Sequence, residues 1–133
     1  MSRVVGGALA ASLVLAAGTL AGVAGAQSKA GDAGRGASIF NDRCSACHSL
    51  TENLQGPPLG GVVGRKAGSV SGADYSDAMK KSGIVWTPDK LDQFLADPDK
   101  MVPGTAMPPA IPDPVERQDV VAYLASVSSG AAH

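Results

Sequence analysis

The amino-acid pattern predicts an all-α domain with three main helices, a shorter one, and long loops that close over something other than protein. Apolar residues recur at helical spacing in three segments, and no segment alternates convincingly as a strand would. Two Gly/Pro-rich stretches, 49–72 and 98–112, are too long for structureless loops in an ordinary small fold. The only aromatics for a core are Phe40, Tyr75, Trp86, Phe94 and Tyr123. So short a chain makes a marginal core by itself. The loops fit if they wrap a large rigid ligand.

The first element is a leader. Arg3 is the only charge before Lys29, and Val4–Ala26 between them is apolar or small throughout. With small residues at Ala24-Gly25-Ala26, this reads as a secretory signal (1–26) cleaved after Ala26. The alternative is an uncleaved anchor, since the uncharged run is long enough to span a bilayer, although its Gly and Ala content makes it weakly apolar. Cleavage leaves one small domain, 27–133. Losing Arg3 takes the formal charge from −1 to −2, without the basic face that a nucleic acid would require. Charges alternate in sign along the chain, as on a solvated surface.

The first helix runs from Asp32, an N-cap candidate, to the cysteines. Ala33, Ala37, Phe40 and Cys44 form one apolar stripe, and Gly36 on it admits a close helix neighbour. A shorter helix spans about Ser76 to Ser82 and stops at Gly83. The second main helix opens at Thr87-Pro88, buries Leu91, Phe94 and Leu95, and ends at Asp97-Pro98. The third opens at Asp113-Pro114, with Glu116 at the capping-box position, and buries Val120, Tyr123, Leu124 and Val127. A frayed tail, 128–133, follows, and His133 within it has no assigned role.

The segment DRCSACHSL holds both cysteines of the chain. A disulfide oxidoreductase would need a βαβ pattern near its Cys-x-x-Cys, and none is visible. A zinc site would need a second Cys or His pair. A disulfide between Cys44 and Cys47 would close a tiny loop with little stabilisation. The remaining reading uses three residues together: Cys44 and Cys47 attach a haem through thioethers, and His48 is the proximal ligand of its iron. The export signal agrees with this. A thioether opposite His48 favours the ferrous state and suits a carrier, and Met79, Met101 and Met107 are the candidates. Composition does not choose among them.

The order of CSACH, GPPLGGVVGRK, ADYSDAMKKSGIVW, VPGTAM and ERQDVVAYL resembles class I cytochrome c, the monohaem mitochondrial and bacterial type, over residues 30–127. The Trp86-to-Met107 spacing agrees with that family. The resemblance implies a class I cytochrome c fold, one covalent haem c, and Met107 as the distal ligand. It also implies that the Pro57 carbonyl receives the imidazole N–H of His48. By the same resemblance Arg65, Tyr75, Trp86 and Thr105 hold a buried propionate or its loop, and a buried carboxylate does need such donors. Gly36, Phe40, Val120 and Tyr123 match the contact of the first and last helices.

Several positions depart from the family. The loop between His48 and Gly56 is shorter than in mitochondrial proteins, Phe94 replaces a common Tyr, and Met79 a common Asn. Asp99 and Ala106 stand where docking lysines occur, while Arg43 and Lys100 remain. The expected function is single-electron transfer between periplasmic or membrane redox proteins by transient docking. The protein would be a monomer acting on no small-molecule substrate and binding no nucleic acid. The rivals are a haem peroxidase or gas sensor with an open distal site, and a membrane-anchored haem subunit of a respiratory complex.

Overall fold

The computed structural model describes residues 2–3, 6–7, 30–108 and 111–130. Most of the expected leader, including the Ala26 cleavage site, and the end of the tail at 131–133 lie outside these residues. Among the described residues no helix is long and apolar enough to cross a membrane.

Helix α1, Ala33–Ile39, starts where Asp32 accepts the Arg35 N–H at 3.0 Å. It does not continue to the cysteines as an α-helix. Phe40–Cys44 forms a π-helical turn, closed by the Ser45 N–H on the Phe40 carbonyl at 3.0 Å. The Ser45 hydroxyl also donates to the Asn41 carbonyl at 2.6 Å. Such a turn holds one extra residue, so it re-aims the cysteine segment relative to α1.

Helix α2, Asp77–Lys81, is capped by Ser76, which accepts the Met79 N–H at 3.1 Å, and is followed by Gly83 at φ +68. Only glycine takes that conformation without strain, so the helix stops there. Helix α3, Pro88–Ala96, has Thr87 as its cap. The stretch from 98, expected to be irregular, opens instead with a short helix α4, Pro98–Met101. The Asp97-Pro98 pair that ends α3 also starts α4, because Asp97 caps it and proline suits a first helical position.

Helix α5, Pro114–Ser129, is capped by Asp113, which accepts from the Val115 and Glu116 N–H groups at 2.7 and 3.1 Å. Glu116 sits 3.1 Å from Arg43, so its carboxylate is spent on the first helical segment. Ser128 and Ser129, expected in the frayed tail, are helical, because α5 runs on to Ser129. Ser128 Oγ accepts the Val63 N–H at 3.1 Å and donates to the Leu124 carbonyl at 2.7 Å. Among the described residues the nearest thing to a sheet is one isolated bridge, Lys66 to Val85.

Helices α1 and α5 cross at Gly36, where a Cβ would run into the Asp119 carbonyl and come within 2.8 Å of Tyr123 Cβ. Phe40 and Tyr123 pack with ring centroids 5.5 Å apart, and Val120 is buried on the same helix. Unforeseen in the sequence is the carboxylate at this crossing. Asp119 is 3% exposed and accepts from Asp32 N at 2.6 Å and from Arg35 Nε and Nη2 at 2.8 and 3.1 Å. The hydrogen bond to Asp119, and then its charge, raise the Arg35 pKa. A buried charge needs such partners. This brace fixes α5, which carries Leu124 to the wall of a cavity also lined by His48 and Met107.

Candidate cofactor site

A cavity of about 350 Å³ opens among the loops and helices α2, α3 and α5. Cys47, His48, Pro57, Arg65, Tyr75, Trp86, Thr105 and Met107 all line it. Cys44 lies beside them in the core at the end of the π turn, 8% exposed. Of the three methionine candidates, Met79 and Met107 line the cavity and Met101 does not.

The cysteine segment is a tight turn in which the Cys47 and His48 N–H groups both donate to the Cys44 carbonyl, at 3.1 and 2.8 Å. Both thiols are free. Burial pushes the Cys44 thiol up from its ordinary pKa, against a smaller lowering by Arg43. The Cys47 thiol is half-buried and donates to Gln55 Oε1 at 3.0 Å.

His48 Nδ1 lies 2.8 Å from the Pro57 carbonyl. A carbonyl only accepts, so Nδ1 carries the proton and Nε2 keeps its lone pair for a metal. Gly56 makes room for this ring: a Cβ there would lie 2.7 Å from Nδ1 and 2.9 Å from Nε2. Sequence reasoning singled out Pro57 and missed Gly56. Its only signal was its place before that proline, which reads equally as a turn.

Arg65 donates to the Gly60 carbonyl at 3.1 Å and the Pro58 carbonyl at 2.6 Å. These acceptors are neutral, and burial pushes the guanidinium pKa below its ordinary value. The Tyr75 oxygen accepts the Val70 N–H at 3.4 Å, which leaves its own O–H free to donate. Trp86 and Phe94 pack with centroids 5.1 Å apart at 56°. On the other side, Thr105 Oγ1 accepts the Met107 N–H at 3.3 Å, and Gly104 at φ +87 turns the chain before it.

These residues fit a haem. Leu59, Val62, Leu91, Leu95 and Leu124 give the cavity apolar walls for a porphyrin. The half-buried guanidinium, bonded among the described residues to neutral carbonyls, suits a propionate. An imidazole of fixed tautomer and a thioether suit iron. Among the described residues no three of His, Cys, Asp and Glu gather as a zinc site would need.

The family profile of cytochrome c matches residues 33–128. The chain belongs to the cytochrome c family. It is 48% identical over 97 residues to cytochrome c2 of Rhodopila globiformis, covering 71% of this chain and 92% of that one. It is 50% identical over 99 residues to cytochrome c of Tetrahymena pyriformis, covering 73% and 90%. Among solved structures, cytochrome cH from Methylobacterium extorquens superposes with a TM-score of 0.68 at 50% identity, covering 72% of this chain and 99% of that one. Cytochromes c are electron carriers with one covalent haem c, and this chain is an electron-transfer haem protein whose partners are redox proteins. The peroxidase and gas-sensor alternatives find no support in these likenesses.

Proposed function

We propose that this cytochrome c is an exported monomer that shuttles single electrons between periplasmic or membrane redox proteins, with His48 and Met107 as its axial ligands. The observation that carries this is the convergence of His48, its Nδ1–H on Pro57, with Met107 and Cys47 on one apolar cavity. The bound haem supplies a one-electron ferric/ferrous couple. Cys44 and Cys47 hold the porphyrin by thioethers. Pro57 orients the imidazole and makes it a better donor. Arg65, Tyr75 and Trp86 receive a propionate, and Thr105 steadies the turn that presents Met107.

The docking face is the cavity rim. Gln55, Ala106 and Pro108 line the cavity and are also exposed or half-exposed, and Leu54, next to Gln55, is 47% exposed. A small, mainly apolar contact at this rim suits a transient redox encounter.

The test is covalent attachment and export in the native host. Acid–acetone extraction should leave haem on the polypeptide, and the mass should equal residues 27–133 plus one haem. Haem that washes out, or a Cys44–Cys47 disulfide, would overturn the carrier reading. A chain that still carries residues 1–26 would make it a membrane-anchored subunit instead.

A further inference from the structure

We propose that Arg117 is a positioning residue for the distal ligand, holding the return of the 102–113 loop so that Met107 stays in place. This rests on the reading of Met107 as the sixth ligand. The Arg117 guanidinium donates from Nε to Asp92 Oδ1 at 3.0 Å, and from Nη1 to the Pro112 and Ile111 carbonyls at 2.7 and 3.2 Å. One side chain on α5 therefore joins α3 to the stretch of loop that leads away from Met107. The Arg117 side chain is 13% exposed, while Asp92 is 38% exposed.

The loop needs this help for a reason written in its sequence. Pro108, Pro109, Pro112 and Pro114 come soon after Met107 and have no backbone N–H. The segment has few donors of its own with which to tie itself down. Its upstream end is well held: α4 precedes it, the Gly104 N–H donates to Asp99 Oδ1 at 3.1 Å, and the Thr105 N–H to the Val102 carbonyl at 2.9 Å. The downstream end has the Ile111 N–H on the Leu95 carbonyl at 3.3 Å, the fully buried Ile111 side chain, and Arg117. Arg117 supplies donors to carbonyls that the prolines cannot serve. Asp92 fixes the guanidinium, and it lies on the same helix as Leu91, Phe94 and Leu95 of the cavity wall.

Loosening this point should let Met107 leave the iron more often, which an added ligand would report. The experiment uses ferric holoprotein and imidazole as the probe, with the near-infrared sulfur-to-iron band and hydrogen exchange of the Ile111 amide as independent readouts. Arg117→Lys keeps the charge but not the three-bond fork. Imidazole affinity should rise about tenfold, since a charged hydrogen bond of ordinary strength is lost. Ile111 exchange should quicken, while the band survives without imidazole. Arg43→Gln breaks the more exposed pair to Glu116 on the same helix and should alter neither readout. If Arg117→Lys does not fold, Asp92→Ala takes its place, with an expected rise of about threefold. Unchanged affinity in the variant that folds, or an equal rise in Arg43→Gln, overturns the assignment. A wild-type protein without the sulfur band would instead refute the Met107 reading itself.

Discussion

Gly56→Ala tests whether the proximal imidazole is held as tightly as its surroundings imply. The added Cβ would lie 2.7 Å from His48 Nδ1 and 2.9 Å from Nε2, where ordinary contact begins at 3.4 Å. The backbone at this position cannot retreat freely. Its N–H donates to the Cys47 carbonyl at 2.7 Å, and its carbonyl accepts the Leu54 N–H at 3.0 Å. The ring must therefore yield, and it is bonded through Nδ1 to the Pro57 carbonyl at 2.8 Å. Overpacking costs about 1–3 kcal/mol, and the weakened hydrogen bond adds about 1 kcal/mol. For a domain of this size a loss of about 2–4 kcal/mol lowers Tm by roughly 10–20 °C. Thermal unfolding of the holoprotein, monitored by circular dichroism, reads this directly. The reduction potential should also rise, because an imidazole without its acceptor is a weaker donor to ferric iron. Gly130→Ala, with nothing within 4 Å of the added methyl, is the control and should leave both unchanged. A Gly56→Ala protein within about 2 °C of wild type, with the same potential, would refute the reasoning.

Met107→Ala should abolish the sulfur-to-iron band, lower the potential and open the iron to added ligands, whereas Met101→Ala, away from the cavity, should do none of these; the reverse result would shift the ligand's register. Reduction of the physiological partner should change only mildly between low and moderate ionic strength, because the formal charge without the expected leader is −2 and Asp99 and Ala106 stand where the family resemblance puts docking lysines; a steep fall in stopped-flow rate would show a local positive patch among Arg43, Lys66, Lys80, Lys81 and Lys100. Met79 and Phe94 line the cavity with Met107 and offer no strong hydrogen bond, so a high-resolution crystal structure should show that corner dry. Phe94→Tyr with Met79→Asn should admit an ordered water there, and an ordered water already present in the wild type would refute this.

What was legible in the sequence was local. Asp32, Thr87 and Asp113 each cap the helix that their place in the sequence suggests, because a cap is a rule about three or four neighbouring residues. Gly36 was legible from its place on an apolar stripe. The π turn was not, since Phe40–Cys44 has the composition of an ordinary helix end. Asp119 was hidden for a different reason. Its partner Arg35 is 84 positions away, and an acid on a chain of alternating charges reads as surface. Cys47, His48, Arg65, Tyr75, Trp86, Thr105 and Met107, singled out for their chemistry, line the cavity. Gly56 was not singled out, because its contribution is the absence of a side chain, and that shows only in the imidazole packed against it.

The division of labour in the site explains how such long loops serve an electron carrier. Helices α3 and α5 contribute apolar wall, with Leu91, Phe94, Leu95 and Leu124, while nearly every polar group facing the cavity comes from a loop. Loops are ordinarily the mobile part of a fold. Electron transfer without bond making is best served by groups that move little between oxidation states. Here two of the loops are tied to α5 by specific bonds, Val63 to Ser128 and Ile111 and Pro112 to Arg117, while Gly56 is bonded to Cys47 within the cysteine segment. Helix α5 is itself braced on α1 through the buried Asp119. The backbone at Val63 and at Ile111–Pro112 is thus anchored to a single helix crossing. Rigidity at the iron should therefore depend on residues of α5 that never touch the cofactor.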